Sequence, residues 1–144
     1  MGNLIRAFVD TNVAVDYATD RDPFAADAQA LFETAARREV VLGAAAMTFP
    51  FAYYVAEQTF RNHGAAALAI RALRKYCLVV PMDEALIDAA QDNPIDDLED
   101  AVQYECALHM GAEAIVTRDG AGFLAGRIPT YSVIDFLKAH HLRT

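Results

Sequence analysis

In Leu4-Ile5-Arg6-Ala7-Phe8-Val9-Asp10-Thr11-Asn12 the run from Leu4 to Val9 is apolar apart from Arg6, and a carboxylate, Asp10, follows it directly. A run of this length and composition reads as a strand buried on both faces. Ala114-Ile115-Val116-Thr117 repeats the pattern and is followed by Arg118-Asp119-Gly120. Val40 to Leu42, Cys77 to Val80, and a segment near Pro129 to Tyr131 complete the set of short strands.

Helical stretches fill the intervals. Val13 to Ala18 is a short apolar helix, and Asp22 and Pro23 predict the cap and first turn of the next, which runs to about Arg38. Thr48 is expected to cap a helix reaching Arg61, with His63-Gly64 breaking it before a further helix over Ala65 to Lys75. Asp83 caps a helix to about Gln91, and Asp97 caps one that reaches Met110 and stops at Gly111. Ser132 to about His140 is the last. Strands alternating with helices predict an α/β domain with a central parallel sheet. In such sheets the functional cleft lies beyond the carboxyl ends of the strands. Asp10 and Asp119 are therefore expected at one edge.

The chain has 144 residues, a length that fits a single domain spanning 1–144, and 55% of them are hydrophobic, which excludes a disordered chain. No apolar run is long enough to cross a membrane. Met1-Gly2-Asn3-Leu4-Ile5-Arg6 lacks the basic-then-apolar pattern of a secretion signal, and Arg6 stands where a myristoylation motif wants Ser or Thr. Cys77 and Cys106 suit neither a disulfide framework nor a thiol zinc site. These readings predict a cytoplasmic protein. The net charge of −8 argues against a general nucleic-acid-binding module. It leaves room for an enzyme that grips phosphates through cations, and for a basic protein partner.

A third acidic block, Asp97-Leu98-Glu99-Asp100, opens the helix that feeds the Asp119 strand. Carboxylates gathered without basic partners repel one another, and a divalent cation removes that repulsion. Hard oxygen ligands suit Mg²⁺ or Mn²⁺, which keep positions for water and phosphate and serve phosphodiester hydrolysis. Each acid also has a local explanation. Asp10 can cap the Val13 helix, and Asp97, Glu99 and Asp100 suit a helix N-terminus for its dipole alone. Thr11, Asn12 and Thr117 can shape turns, or orient the acids from behind. His63, His109, His140 and His141 show no ligand spacing, and Arg61, Arg71, Arg74 and Lys75 read as a solvated helix face. No Gly-rich phosphate loop, G-x-S-x-G or Cys-His pair offers a nucleophile.

Phe8-Val9-Asp10-Thr11-Asn12-Val13 resembles the opening of PIN domains. Asp97-Leu98-Glu99-Asp100-Ala101-Val102-Gln103 and Ala114-Ile115-Val116-Thr117-Arg118-Asp119, with Gly122-Phe123, resemble the family's second and third acidic blocks. The resemblance runs from about Leu4 to Leu137 and is nearest the small bacterial VapC-like branch. It implies a flavodoxin-like three-layer α/β/α fold and a Mg²⁺- or Mn²⁺-dependent ribonuclease. It also implies frequent dimerisation and, for toxin members, an antitoxin that blocks the site. By this resemblance Asp10, Asp100 and Asp119 are the catalytic and metal-binding acids, with Asp97 and Glu99 as adjacent acids.

One position departs from the pattern. PIN domains usually carry an acid early in the helix after the second strand, and here the matching residue is Phe51, which cannot bind a metal. Glu57 lies two turns further on, out of reach. A catalytically weak PIN domain kept as a nucleic-acid or protein binding module is thus the alternative to the ribonuclease. A phosphoryl-accepting domain using Asp10 is a third reading, but the haloacid-dehalogenase pattern wants a second Asp where Asn12 stands. The crowding of Phe49, Phe51, Tyr53, Tyr54 and Phe60 predicts an apolar patch and a homodimer.

Overall fold

The computed structural model describes residues 4–123 and 125–143, so the N-terminal reading at Met1 to Asn3 lies outside the described residues. Five strands form one sheet: β1 (Ile5–Val9), β2 (Val40–Ala45), β3 (Cys77–Val80), β4 (Ala114–Val116) and β5 (Thr130–Tyr131). Every pairing is parallel, and the strand order is β3-β2-β1-β4-β5. The expected α/β class and parallel sheet are both present.

The pleat explains the three layers. Ala7, Val9, Leu42, Ala44, Ala114 and Val116 face one way and pack with Val13, Phe32, Phe49, Leu73 and Phe136. Those five come from α1 (Thr11–Thr19), α2 (Ala25–Ala36), α3 (Thr48–Phe60), α4 (His63–Tyr76) and α7 (Val133–Ala139). Phe8, Ala45 and Ile115 face the other way, against Leu86 of α5 (Glu84–Gln91) and Val102 and Cys106 of α6 (Leu98–His109). Apolar residues on both faces of each strand are what a parallel sheet covered by helices on both sides requires.

Several local expectations hold. Asp83 and Asp97 accept hydrogen bonds from the backbone N–H of Leu86 and Asp100, both at 2.9 Å, as N-caps do. Gly111 follows α6 at φ +71°, the left-handed conformation glycine adopts freely.

Others are corrected. Asp22 does not cap α2, which starts only at Ala25, because Phe24 N–H closes a turn onto Arg21 O at 2.9 Å. The break between α3 and α4 falls at Arg61-Asn62, not His63-Gly64. Arg61 turns left-handed at φ 53°, and Asn62 caps α4 through Ala65 N–H at 2.9 Å, so His63 and Gly64 form its first turn. β2 runs to Ala45, past Leu42, since Gly43, Ala44 and Ala45 pair with β3. Gly43 leaves room there for Met110, whose sulfur would stand 2.7 Å from an added Cβ and would have to shift.

Strand order fixes where a site can form. Connections from β1 lead outward through β2 to β3, whereas the chain later returns to place β4 on the opposite side of β1. The sheet therefore has its topological switch point between β1 and β4, where crevices open at the carboxyl ends of strands.

Candidate active site

Asp10 follows β1 directly, at that switch point. Its backbone behaves as an N-cap, with its carbonyl accepting from Val13 N–H at 3.0 Å, but its side chain makes no cap hydrogen bond. The carboxylate turns instead to Thr117, whose hydroxyl donates to Asp10 Oδ2 at 2.6 Å. Asp10 is 6% exposed. The helix-cap explanation of this side chain is thus set aside by its geometry.

Thr117 follows β4 directly and is buried. Its Oγ1 also accepts the Asp119 N–H at 3.0 Å, and Asp119 Oδ1 accepts from Ala121 N–H at 3.2 Å. These bonds fold the chain into the 3₁₀ turn Gly120–Phe123. That turn packs against α6, where a Cβ on Gly122 would come within 2.6 Å of Asp100 Oδ2.

Asp100 enters from the first turn of α6, placed there by the Asp97 cap. Burial raises its pKa to about 6, and the charges of Asp97, Asp10, Glu99 and Asp119 add to the rise. Carboxyls whose charges oppose one another in this way would be relieved by a cation.

A cleft of about 290 Å³ gathers these groups, with Asp10, Asn12, Glu99, Asp100 and Asp119 in its lining and Phe51 at its side. Asp97 stays outside it as a cap. Thr117 stands behind Asp10 and bonds its carboxylate. Thr11 lines the cleft but orients no acid: its N–H and hydroxyl both go to Gln103 Oε1, at 3.0 and 3.1 Å, and its hydroxyl meets that of Thr48 at 2.9 Å. Thr48, expected as a cap, thus ties α3 to the start of α1, and buried Gln103 ties α6 to α1 through Thr11. Phe51 is 50% exposed.

Among the described residues, no three His, Cys, Asp or Glu side chains stand close enough to share an ion. Uncompensated carboxylates repel, so separation is their favoured arrangement without a cation. The donors nevertheless fit Mg²⁺ or Mn²⁺. They are hard oxygens on three separate segments, and Asn12 Oδ1 is a buried acceptor with no donor beside it.

Sequence reasoning missed the basic side of the cleft. Arg21 and Arg118 line it together with the acids. Arg118 Nε pairs with Asp16 Oδ2 at 2.8 Å, and its guanidinium carbon lies 3.9 Å from the Phe24 ring centroid. Asp16 is 1% exposed. Burial pushes its carboxyl above the usual range, and the charges of Arg118 and Arg21 pull against that rise. A buried Asp in the middle of an apolar helix was the available signal.

Comparison with known proteins agrees with this architecture. A family model for the PIN domain matches residues 6–121. No curated protein matches the chain in sequence. Among solved structures it is similar to VapC20 of Mycobacterium tuberculosis, a toxin that cleaves the sarcin-ricin loop. The TM-score is 0.63 at 18% identity, covering 83% of this chain and 95% of that one. A toxin–antitoxin complex from Klebsiella pneumoniae gives 0.62 at 15% identity, covering 88% and 97%. VapBC2 of Rickettsia felis, bound to a DNA fragment from its promoter, gives 0.63 at 9% identity, covering 89% and 100%. At such identities the likeness is one of fold.

Proposed function

Because this chain belongs to the PIN domain family, we propose that it is a metal-dependent endoribonuclease and the toxin of a toxin–antitoxin pair. The observation that carries the reading is the convergence of Asp10, Asp100 and Asp119, from three separate segments, on one cleft at the switch point. We read residues 1–144 as one such domain.

Asp10, Asp100 and Asp119 would hold Mg²⁺ or Mn²⁺, with Glu99 adding negative charge at the rim. When bound, the ion supplies the positive charge that activates water and stabilises the oxygen leaving the phosphodiester. Thr117 holds Asp10 in one orientation. Asp97 fixes the first turn of α6, and with it Asp100. Asn12 offers Oδ1 to a donor inside the cleft. The strand-end acids suit an RNA phosphate only while the cation is present, since they would otherwise repel it.

Purified protein should cleave single-stranded RNA with Mn²⁺ or Mg²⁺ and stop in EDTA. Asp10→Asn should lose both cleavage and Mn²⁺ binding while keeping its melting temperature. Absence of cleavage with either metal, together with no Asp10-dependent ion binding, would end the nuclease reading. The binding-module reading would then replace it. That reading draws on Phe51, which places an apolar ring where the PIN resemblance implies an acid.

The partners follow from the same reading. An antitoxin is supported by the similarity to chains solved in toxin–antitoxin complexes. The same reading takes the site of action to be cytoplasmic; no helix among the described residues is long and apolar enough to cross a membrane. Phe51, Tyr54 and Phe60 leave an exposed apolar surface along α3, which supports a homodimer. A monomer mass in light scattering across a wide concentration range would count against it.

A further inference from the structure

Arg118 stands between Thr117 and Asp119, so the strand end that delivers an acid to the cleft also delivers a guanidinium. An arginine among free carboxylates ordinarily pairs with one of them and neutralises it. Among the described residues this one does not. Its ion pair is with Asp16 on α1, through Nε at 2.8 Å and Nη2 at 3.4 Å. The Phe24 ring lies against its guanidinium.

Holding it this way is costly. A carboxylate as buried as Asp16 loses its hydration and is tolerated only when paired. An apolar residue would fill that place on α1 without the penalty. The arrangement keeps Arg118 charged, oriented and apart from Asp10, Asp100 and Asp119. Its Nη1 makes no hydrogen bond among the described residues, and 33% of its side chain is exposed. A guanidinium with one edge anchored and further N–H groups free matches the geometry of a phosphate oxygen pair.

We propose that Arg118 binds a backbone phosphate of the RNA strand in the cleft, with Asp16 and Phe24 as its positioning residues. The identity of the ligand rests on the nuclease reading. The acids and Arg118 then divide the work: the acids take the cation, and Arg118 takes phosphate charge that the cation leaves uncompensated.

The test uses the full chain, Mn²⁺ and a fluorescein-labelled single-stranded RNA. The readout is KM where the RNA is cut, or the dissociation constant in the same buffer where it is not, each over a series of salt concentrations. Arg118→Ala should raise that constant about ten-fold or more, and should reduce the magnitude of the salt slope by about 0.7, the value of one lost phosphate contact on a single strand. Arg118→Lys should keep the slope but weaken binding several-fold, since an ammonium has no fork. Asp16→Asn should likewise weaken binding at unchanged slope. Lys138→Ala, on the exposed face of α7, should change neither.

Wild-type constants and slope in Arg118→Ala would overturn the proposal. If that variant does not fold, wild-type binding in Arg118→Lys overturns it. Intact cleavage that is indifferent to Arg118 sinks this proposal alone. Arg118-dependent binding without cleavage sinks only the nuclease reading. RNA that is neither cut nor bound sinks both.

Discussion

The Thr117 hydroxyl donates to Asp10 Oδ2 at 2.6 Å and joins residues 107 positions apart in the chain. The same oxygen accepts the Asp119 N–H, so one buried threonine sets the orientation of two acids. Thr117→Val removes donor and acceptor together while keeping the shape. It should cost about 1–3 kcal/mol, the usual price of leaving buried polar groups unpaired. Urea unfolding measures that loss. Cleavage should fall by more than the unfolded fraction explains, and an unchanged rate in the folded protein would show that Thr117 is not needed to place Asp10.

Phe51→Glu tests the departure from the family pattern. Phe51 is half exposed, so losing its ring should cost well under the ~3–5 kcal/mol of a buried phenylalanine. A glutamate in the first turns of α3 is also favoured by the helix dipole. Cleavage should rise, and Mn²⁺ affinity with it, as followed by rate measurements and calorimetric titration. A folded variant with lower activity would mean that the apolar ring serves the site as it stands.

Gly122→Ala probes how closely Asp100 is confined. The added Cβ would stand 2.6 Å from Asp100 Oδ2, too close for either atom to remain. The carboxylate must shift, so Mn²⁺ affinity and cleavage should fall while melting changes by little. Wild-type metal affinity would indicate that Asp100 contributes no ligand.

The raised pKa of Asp100 predicts a pH dependence with a defined sign. Its value is about 6, against 3.8 for the ordinary side chain. The folded protein thus holds this proton more tightly than the unfolded chain. Ionising Asp100 destabilises the metal-free fold above pH ~6, and the penalty lifts as pH falls toward 4. A cation needs the ionised form, so Mn²⁺ affinity should drop as pH falls through about 6. Titration calorimetry at about pH 7.5 and about pH 5.5 measures it. Asp100→Asn should bind more weakly and show a smaller pH step. An equal step in that variant would assign the proton elsewhere.

The legible part of the fold came from local signals. The apolar runs ending at Val9 and Thr117 marked β1 and β4, and the caps Asp83 and Asp97 and the stop at Gly111 act as read. Errors arose where two local signals competed. His63-Gly64 reads as the break between α3 and α4, but Asn62 just before it supplies the cap and outweighs it. Thr48 looked like a cap because hydroxyls at helix starts usually are, yet its partner is Thr11 on another helix.

By itself the sequence determined the order of elements, the α/β class and the presence of an acid after each of two strands, because these depend on composition and neighbours along the chain. Only the tertiary structure decided that β1 and β4 lie side by side, which brings Asp10 within reach of Thr117 and into one cleft with Asp119. Only it decided that Asp16 faces Arg118, 102 positions away. Such choices turn on which distant segments pair and on the cost of burying each charge, and neither is set by residues adjacent in sequence.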